Sequence, residues 1–175
     1  MTDLLVLCTG NAARSVMAGF MLERLRETCA GDTLHIVTAG THSIDGQPMG
    51  MRTRTALTRI PDLTGMDFHR HRSRQVHGVD LVHADLVVVM EADHVRFVRR
   101  RFPDAAAKTA TIRRLCRDLP PPPGGLALRV AALGLADVEL SDDEDVLDPA
   151  GAEADVYSAC ADELWDLCGR LAPLL

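Results

Sequence analysis

Leu4-Leu5-Val6-Leu7-Cys8-Thr9-Gly10-Asn11-Ala12-Ala13-Arg14-Ser15 passes from an apolar run, through a loop of small residues, into a helical pattern. Four consecutive apolar residues, Leu4 to Leu7, suit a strand buried on both faces. Ser15 suits the start of a helix that Val16, Met17, Phe20, Met21 and Leu25 continue. The helix N-terminus leaves N–H donors unpaired and carries partial positive charge, so the loop ahead of it can hold a phosphate-sized dianion. Gly10 and Asn11 tolerate the left-handed backbone that a concave nest of N–H groups needs, and Thr9, Ala12 and Ala13 are small enough to let an anion approach. Arg14 adds a two-pronged donor matched to two phosphoryl oxygens. Cys8 lies at the bottom of the same cradle, where N–H dipoles, Arg14 and the Ser15 hydroxyl all favour a thiolate. A thiolate facing a bound phosphoryl group is a nucleophile placed for attack.

A cysteine followed six positions later by an arginine is weak by itself, since about one cysteine in ten would show it in so arginine-rich a chain. Cys29, Cys116, Cys160 and Cys168 do not: the corresponding residues are His35, Pro122, Asp166 and Leu174. The signal comes from the Gly-Asn interior, the serine after the arginine, and the strand and helix on either side. The alternative for Cys8 and Arg14 is a buried thiol beside a solvated helix-terminal arginine.

The 175 residues suit one domain with a sizeable core. Five cysteines without paired spacing argue for a reducing compartment, and against both a disulfide framework and a Cys-x2-Cys metal site. The formal charge of −6 disfavours non-specific binding to nucleic acid or anionic membrane. No run reaches the length of a membrane span, and the first residues lack a signal-peptide pattern, so a cytoplasmic protein is expected.

Further strands are expected at Leu34 to Val37, Leu86 to Met90 and Thr109 to Ile112, with Gly31-Asp32 closing the element before the first of these. Helical patterns follow at Met51 to Leu57, Ala92 to Arg101, up to Leu119, and from Ala152 to Leu171, where Val156, Cys160, Leu164, Trp165, Cys168 and Leu171 form a core-facing stripe. The alternation predicts a single-domain, three-layer α/β fold over residues 1–175: a central four-stranded parallel sheet with helices on both faces and the anion loop after the first strand. Pro120 to Pro123 with Gly124-Gly125 is a hard break. The acidic run Asp142-Asp143-Glu144-Asp145 reads as solvated loop or as a flap over the site. The basic segment His69 to Arg74 has one neighbouring aromatic, Phe68, and reads as a rim attracting an anionic substrate, with Arg72 and Arg74 available to a second anionic group. No metal set is expected, because His69 and His71 lack helical spacing or nearby ligands.

Cys8 to Ser15 at the N-terminus, together with Asp148-Pro149 near the C-terminus, resembles the low-molecular-weight protein tyrosine phosphatase family. Val37 to Thr41, His71 to Gln75 and Ala84 to Met90 resemble its intermediate blocks in the same order. The resemblance covers nearly the whole chain and makes residues 120–147 an insertion. It implies a phosphomonoester hydrolase working through a cysteinyl-phosphate, without cofactor. Cys8 and Arg14 would be catalytic, Thr9 to Ser15 would bind phosphate, and Ser15 would support the thiolate. It places Asp148 as acid and then base: a carboxylic acid protonates the leaving oxygen, and its carboxylate then takes a proton from the attacking water. Pro149 confines Asp148 to extended backbone. By the same resemblance Thr38 and His71 brace Asn11, the alternatives being a strand-ending threonine and a surface histidine.

Two departures bear on substrate. Aromatic residues that wall the family's phosphotyrosine slot are replaced by Ala150-Gly151 and by residues near Ile44, and a second loop cysteine is replaced by Ala13. The substrate is therefore phosphotyrosine or a small-molecule phosphate such as a sugar or nucleoside phosphate. Two alternatives remain: a single-cysteine, thiol-dependent arsenate reductase on the same fold, and a non-catalytic phosphate-binding module.

Overall fold

A computed structural model describes residues 2–28 and 34–175; the Gly31-Asp32 break and Cys29 lie outside them. Strand β1 (Thr2–Cys8) runs into α1 (Arg14–Thr28), and β2 (Leu34–Gly40) is followed by α2 (Met51–Thr58). Next come α3 (Gly78–His83), β3 (Leu86–Val89), α4 (Ala92–Arg101), β4 (Thr109–Thr111) and α5 (Ile112–Asp118). Short α6 (Leu126–Ala131) precedes the long C-terminal α7 (Ala154–Leu171).

All four strands are parallel, in the order β2-β1-β3-β4. The apolar run of β1 explains its central place: paired on both edges, it buries every side chain from Leu4 to Leu7. Leu4, Val6 and Cys8 enter one core with α1, α5 and α7; Leu5 and Leu7 enter the other, with Leu81 of α3 and Val95 and Val98 of α4. At about 1.5–3 kcal/mol for each fully buried aliphatic side chain, these four residues favour the sandwiched position over an edge. Cys160, Leu164, Cys168 and Leu171 are buried on α7 as the stripe anticipated, while Val156 and Trp165 are partly exposed.

The strand order reverses between β1 and β3, which opens a crevice at their carboxyl ends. The loop after β1 and the turn Met90-Glu91 after β3 both face it. Residues 142–148 cross the ends of β3 and β4, and here the acidic run departs from a solvated flap. Asp142 and Asp143 are exposed, but Glu144 is 2% exposed. Its Oε2 accepts hydrogen bonds from Thr111 Oγ1 and Arg114 Nε at 3.0 Å each, and Oε1 accepts one from Arg117 at 2.8 Å. Asp145 accepts the Ala92 N–H that opens α4 at 2.7 Å, and Val146 N donates to Met90 O at 2.8 Å. Two arginines neutralise the buried carboxylate, so the run is an anchor.

Candidate active site

The loop after β1 is shaped from outside. Five of the six carbonyls of residues 8–13 accept hydrogen bonds from other parts of the chain, and the sixth, Ala13 O, opens the first turn of α1: Cys8 O accepts from Thr41 N and Thr9 O from His42 N, both at 2.9 Å, and Gly10 O from Ser43 Oγ at 3.0 Å. Asn11 O pairs with His71 Nε2 at 2.9 Å, Ala12 O with Thr53 Oγ1 at 3.0 Å, and Ala13 O with Met17 N at 2.8 Å. With the carbonyls turned outward, the intervening N–H groups face the concave side, the arrangement an anion needs.

Asn11 carries the left-handed turn at φ 50° and is fully buried. Its amide nitrogen donates to Ser15 Oγ and Thr38 Oγ1, each at 3.0 Å, and its Oδ1 accepts Arg74 N at 3.0 Å. Burial lowers the His71 pKa, with Arg72 adding to the effect and the Asn11 carbonyl opposing it, so the ring donates through Nε2–H as a neutral imidazole. Thr38 and His71 thus both contact Asn11. Cys8 Sγ is 3.0 Å from Ser15 Oγ. Because Asn11 already donates to that oxygen, the Ser15 hydrogen is free to point at sulfur.

Arg14 is 1% exposed, and both of its terminal nitrogens are engaged. Nη1 donates to Glu91 Oε2 at 2.5 Å and Val146 O at 3.0 Å; Nη2 donates to Asp148 Oδ2 at 2.6 Å and Thr9 Oγ1 at 3.3 Å. Burial works against the charge, but the Glu91 hydrogen bond and the two carboxylates outweigh it and raise the pKa further, so the guanidinium stays charged. Asp148 reaches it from the far side of the crevice, with its side chain 40% exposed and Oδ1 accepting Ala150 N at 3.1 Å. Asp148, 134 positions from Arg14 in sequence, therefore converges with Cys8, Arg14 and Ser15.

Gly40 explains how closely β2 approaches: a Cβ there would lie 2.5 Å from Thr9 O and 3.0 Å from Asn11 N. Both neighbours are backbone and cannot yield without moving the loop. Gly40→Ala is expected to destabilise the fold by ~1–3 kcal/mol and to depress activity in step, read by denaturant midpoint and turnover. Wild-type values for both would mean the loop has slack there.

The basic segment lies elsewhere than the expected rim. Arg70 pairs with Glu23, Arg72 donates to the carbonyls of His69 and His71 at 2.7 and 2.6 Å, and Arg74 pairs with Asp80 at 2.7 Å. All three line a cleft between α1 and β2 that Thr38 and His71 share. Cys160 and Cys168 are packing groups: burial pushes the Cys160 thiol up to about 12 and raises Cys168 as well. Sequence reasoning missed Glu91, Ser43, Thr53 and His94. Only Glu91 had a signal, its place directly after a central strand. Among the described residues, no helix is long and apolar enough to cross a membrane.

A family model described as low molecular weight phosphotyrosine protein phosphatase matches residues 3–120. A protein-arginine-phosphatase of Geobacillus stearothermophilus is 28% identical over 172 residues, covering 98% of this chain and 95% of its own. A probable low molecular weight protein-tyrosine-phosphatase, EpsP, of Ralstonia nicotianae is 30% identical over 112 residues, 64% of this chain and 69% of its own. Among solved structures, the YwlE arginine phosphatase from G. stearothermophilus has a TM-score of 0.74 at 27% identity, covering 98% of this chain and 91% of that one. The low molecular weight protein tyrosine phosphatase from T. tengcongensis has the same TM-score and identity, covering 98% and 97%.

Proposed function

This chain belongs to the low molecular weight phosphotyrosine protein phosphatase family and is a cysteine-dependent phosphatase, and from that premise we propose that Cys8 attacks phosphorus to give a cysteinyl-phosphate. The S–P bond forms as the bond to the leaving group breaks; Asp148, a carboxylate paired with Arg14 in the free protein, takes up a proton from solvent or from a substrate monoanion once the phosphoryl group displaces it, and gives that proton to the leaving group. Asp148 then takes a proton from water as the water attacks the phosphocysteine, releasing inorganic phosphate and the Cys8 thiolate. The N–H groups of residues 9–15 and Arg14 hold the phosphoryl oxygens and balance their charge. An arriving phosphoryl group takes over the Arg14 Nη2 donor that Asp148 occupies in the free protein. The observation that carries this reading is the loop whose five carbonyls at residues 8–12 are bonded outward around Cys8.

The substrate is a phosphate whose leaving group needs no aromatic wall. Ala150 and Gly151 follow the Asp-Pro, and Ile44, on the loop after β2, is 75% exposed. A phenyl ring stacked between two aromatics gains about 0.5–1.5 kcal/mol from each pair, and that gain is missing here. A small-molecule phosphate such as a sugar or nucleoside phosphate fits such a mouth. A phosphorylated arginine side chain fits it also: it is slender, and Asp148 can protonate the leaving nitrogen as readily as an oxygen. The relative covering 98% of this chain is named a protein-arginine-phosphatase, which favours the arginine reading of the two. The test compares kcat/KM for a phosphoarginine peptide, a sugar phosphate and a phosphotyrosine peptide, in wild type and Ala150→Tyr. The expected order places a non-aromatic substrate first by ~10-fold, with the added ring raising phosphotyrosine turnover. A wild-type preference for phosphotyrosine that the ring does not change would overturn the assignment.

A further inference from the structure

His94, one turn into α4, is buried behind the loop at 2% exposure and plays no part in the chemistry described so far. Its Nε2 lies 3.0 Å from Thr9 Oγ1 and 3.3 Å from Glu91 Oε1. Those two residues are also partners of Arg14, Thr9 Oγ1 accepting from Nη2 at 3.3 Å and Glu91 Oε2 from Nη1 at 2.5 Å. The four side chains close a ring in which each touches the next. We infer that His94 is a positioning residue for this reaction: a neutral imidazole with its hydrogen on Nε2, it fixes Thr9 and Glu91 so that the Arg14 guanidinium keeps the orientation in which it receives a phosphoryl group. The inference rests on the phosphatase reading of Arg14 above.

The tautomer follows from the partners. A carboxylate only accepts, so an Nε2 facing both Glu91 and a hydroxyl carries the hydrogen. That leaves Nδ1 without one, and Nδ1 is buried with no partner. Buried polar atoms are nearly always bonded, so an orphaned ring nitrogen marks a histidine held for its other side. An apolar side chain would fill the space without the orphan, but it would offer Thr9 and Glu91 nothing. Protonation is suppressed by the groups around the ring: burial first, then Arg14, with His42 in the same sense and Asp93 opposing, which lowers the pKa to about 3. Two consequences follow over the working pH range. The Nε2–H donor is always present, and no second cation competes with Arg14 for Glu91.

His94→Gln sets an amide N–H near the Nε2 position, whereas His94→Leu fills the site and removes the donor. Kinetics with an aryl phosphate, vanadate affinity by calorimetry and Tm are measured for both, alongside wild type and Cys8→Ser. His94→Leu is expected to lower kcat/KM by ~10–100-fold, the usual range for a residue orienting a functional group through its neighbours, and to weaken vanadate binding by about tenfold. His94→Gln is expected to stay within about threefold of wild type on both. Equal losses in the two variants would make His94 a packing residue. Wild-type kcat/KM and vanadate affinity in a folded His94→Leu would overturn the inference outright. Should His94→Leu fail to fold, His94→Met answers the same question. Absence of turnover in wild type would defeat the phosphatase reading alone, because the difference in vanadate affinity between the Leu and Gln variants still decides the role of His94.

Discussion

Cys8→Ser is expected to lower turnover by ~10⁴-fold or more while inorganic phosphate or vanadate still binds within a few-fold of wild type. The two readouts separate because they depend on different atoms. In the proposed mechanism the oxyanion is held by loop N–H groups and Arg14, and the bonds shaping that loop run mainly through its carbonyls and the Asn11 side chain, sulfur contributing the contact to Ser15 Oγ that a hydroxyl at position 8 can keep. A serine hydroxyl at position 8 would have Ser15 Oγ as its neighbour and no base to take its proton. Steady-state kinetics with an aryl phosphate, paired with calorimetry, make the comparison; turnover near the wild-type rate would remove Cys8 from the mechanism.

The second large effect belongs to Asp148→Asn. Loss of the proton donor should slow substrates with poor leaving groups by ~10²–10⁴-fold, and aryl phosphates with good leaving groups by far less. Comparing leaving groups is necessary because Asp148 also pairs with Arg14 at 2.6 Å. Any disturbance of phosphate binding is common to all substrates and cancels in the ratio, whereas proton donation does not. Equal losses across leaving groups, or arsenate-dependent thiol consumption exceeding phosphatase activity, would favour the arsenate reductase alternative. Binding of phosphate with no turnover of any substrate would favour a non-catalytic module.

How much of this the sequence disclosed depends on the range of each interaction. The β1–loop–α1 unit was legible because its pattern is local: an apolar run, left-handed-tolerant residues at Gly10-Asn11, and a helix start. Asp148 was legible only through family resemblance, since Asp-Pro says little by itself and the bonds delivering it, Val146 N to Met90 O and Asp145 to Ala92 N, join segments more than fifty residues apart. Glu144 was misjudged for the same reason. In a run of acidic residues it has the composition of a solvated loop, and Arg114 and Arg117 on α5, which neutralise it, declare nothing locally. The basic segment was read by its charge, yet its contributions to the loop are a backbone N–H of Arg74 and a neutral imidazole of His71. Short helices α3 and α6 offered too little periodicity to be read.

The bracing of Asn11 has a consequence in entropy. Its left-handed backbone is held by side chains from β2 and α1 and by the segment that carries His71 and Arg74. The conformational freedom of the loop is therefore surrendered once, when the chain folds, and not again at each encounter with substrate. Ordering a single residue's backbone takes about 1–2 kcal/mol, so a loop of six left floppy would squander most of the binding energy of a phosphate. Here that energy remains available for the transition state, and the recognition of a small dianion becomes a property of the folded sheet as a whole.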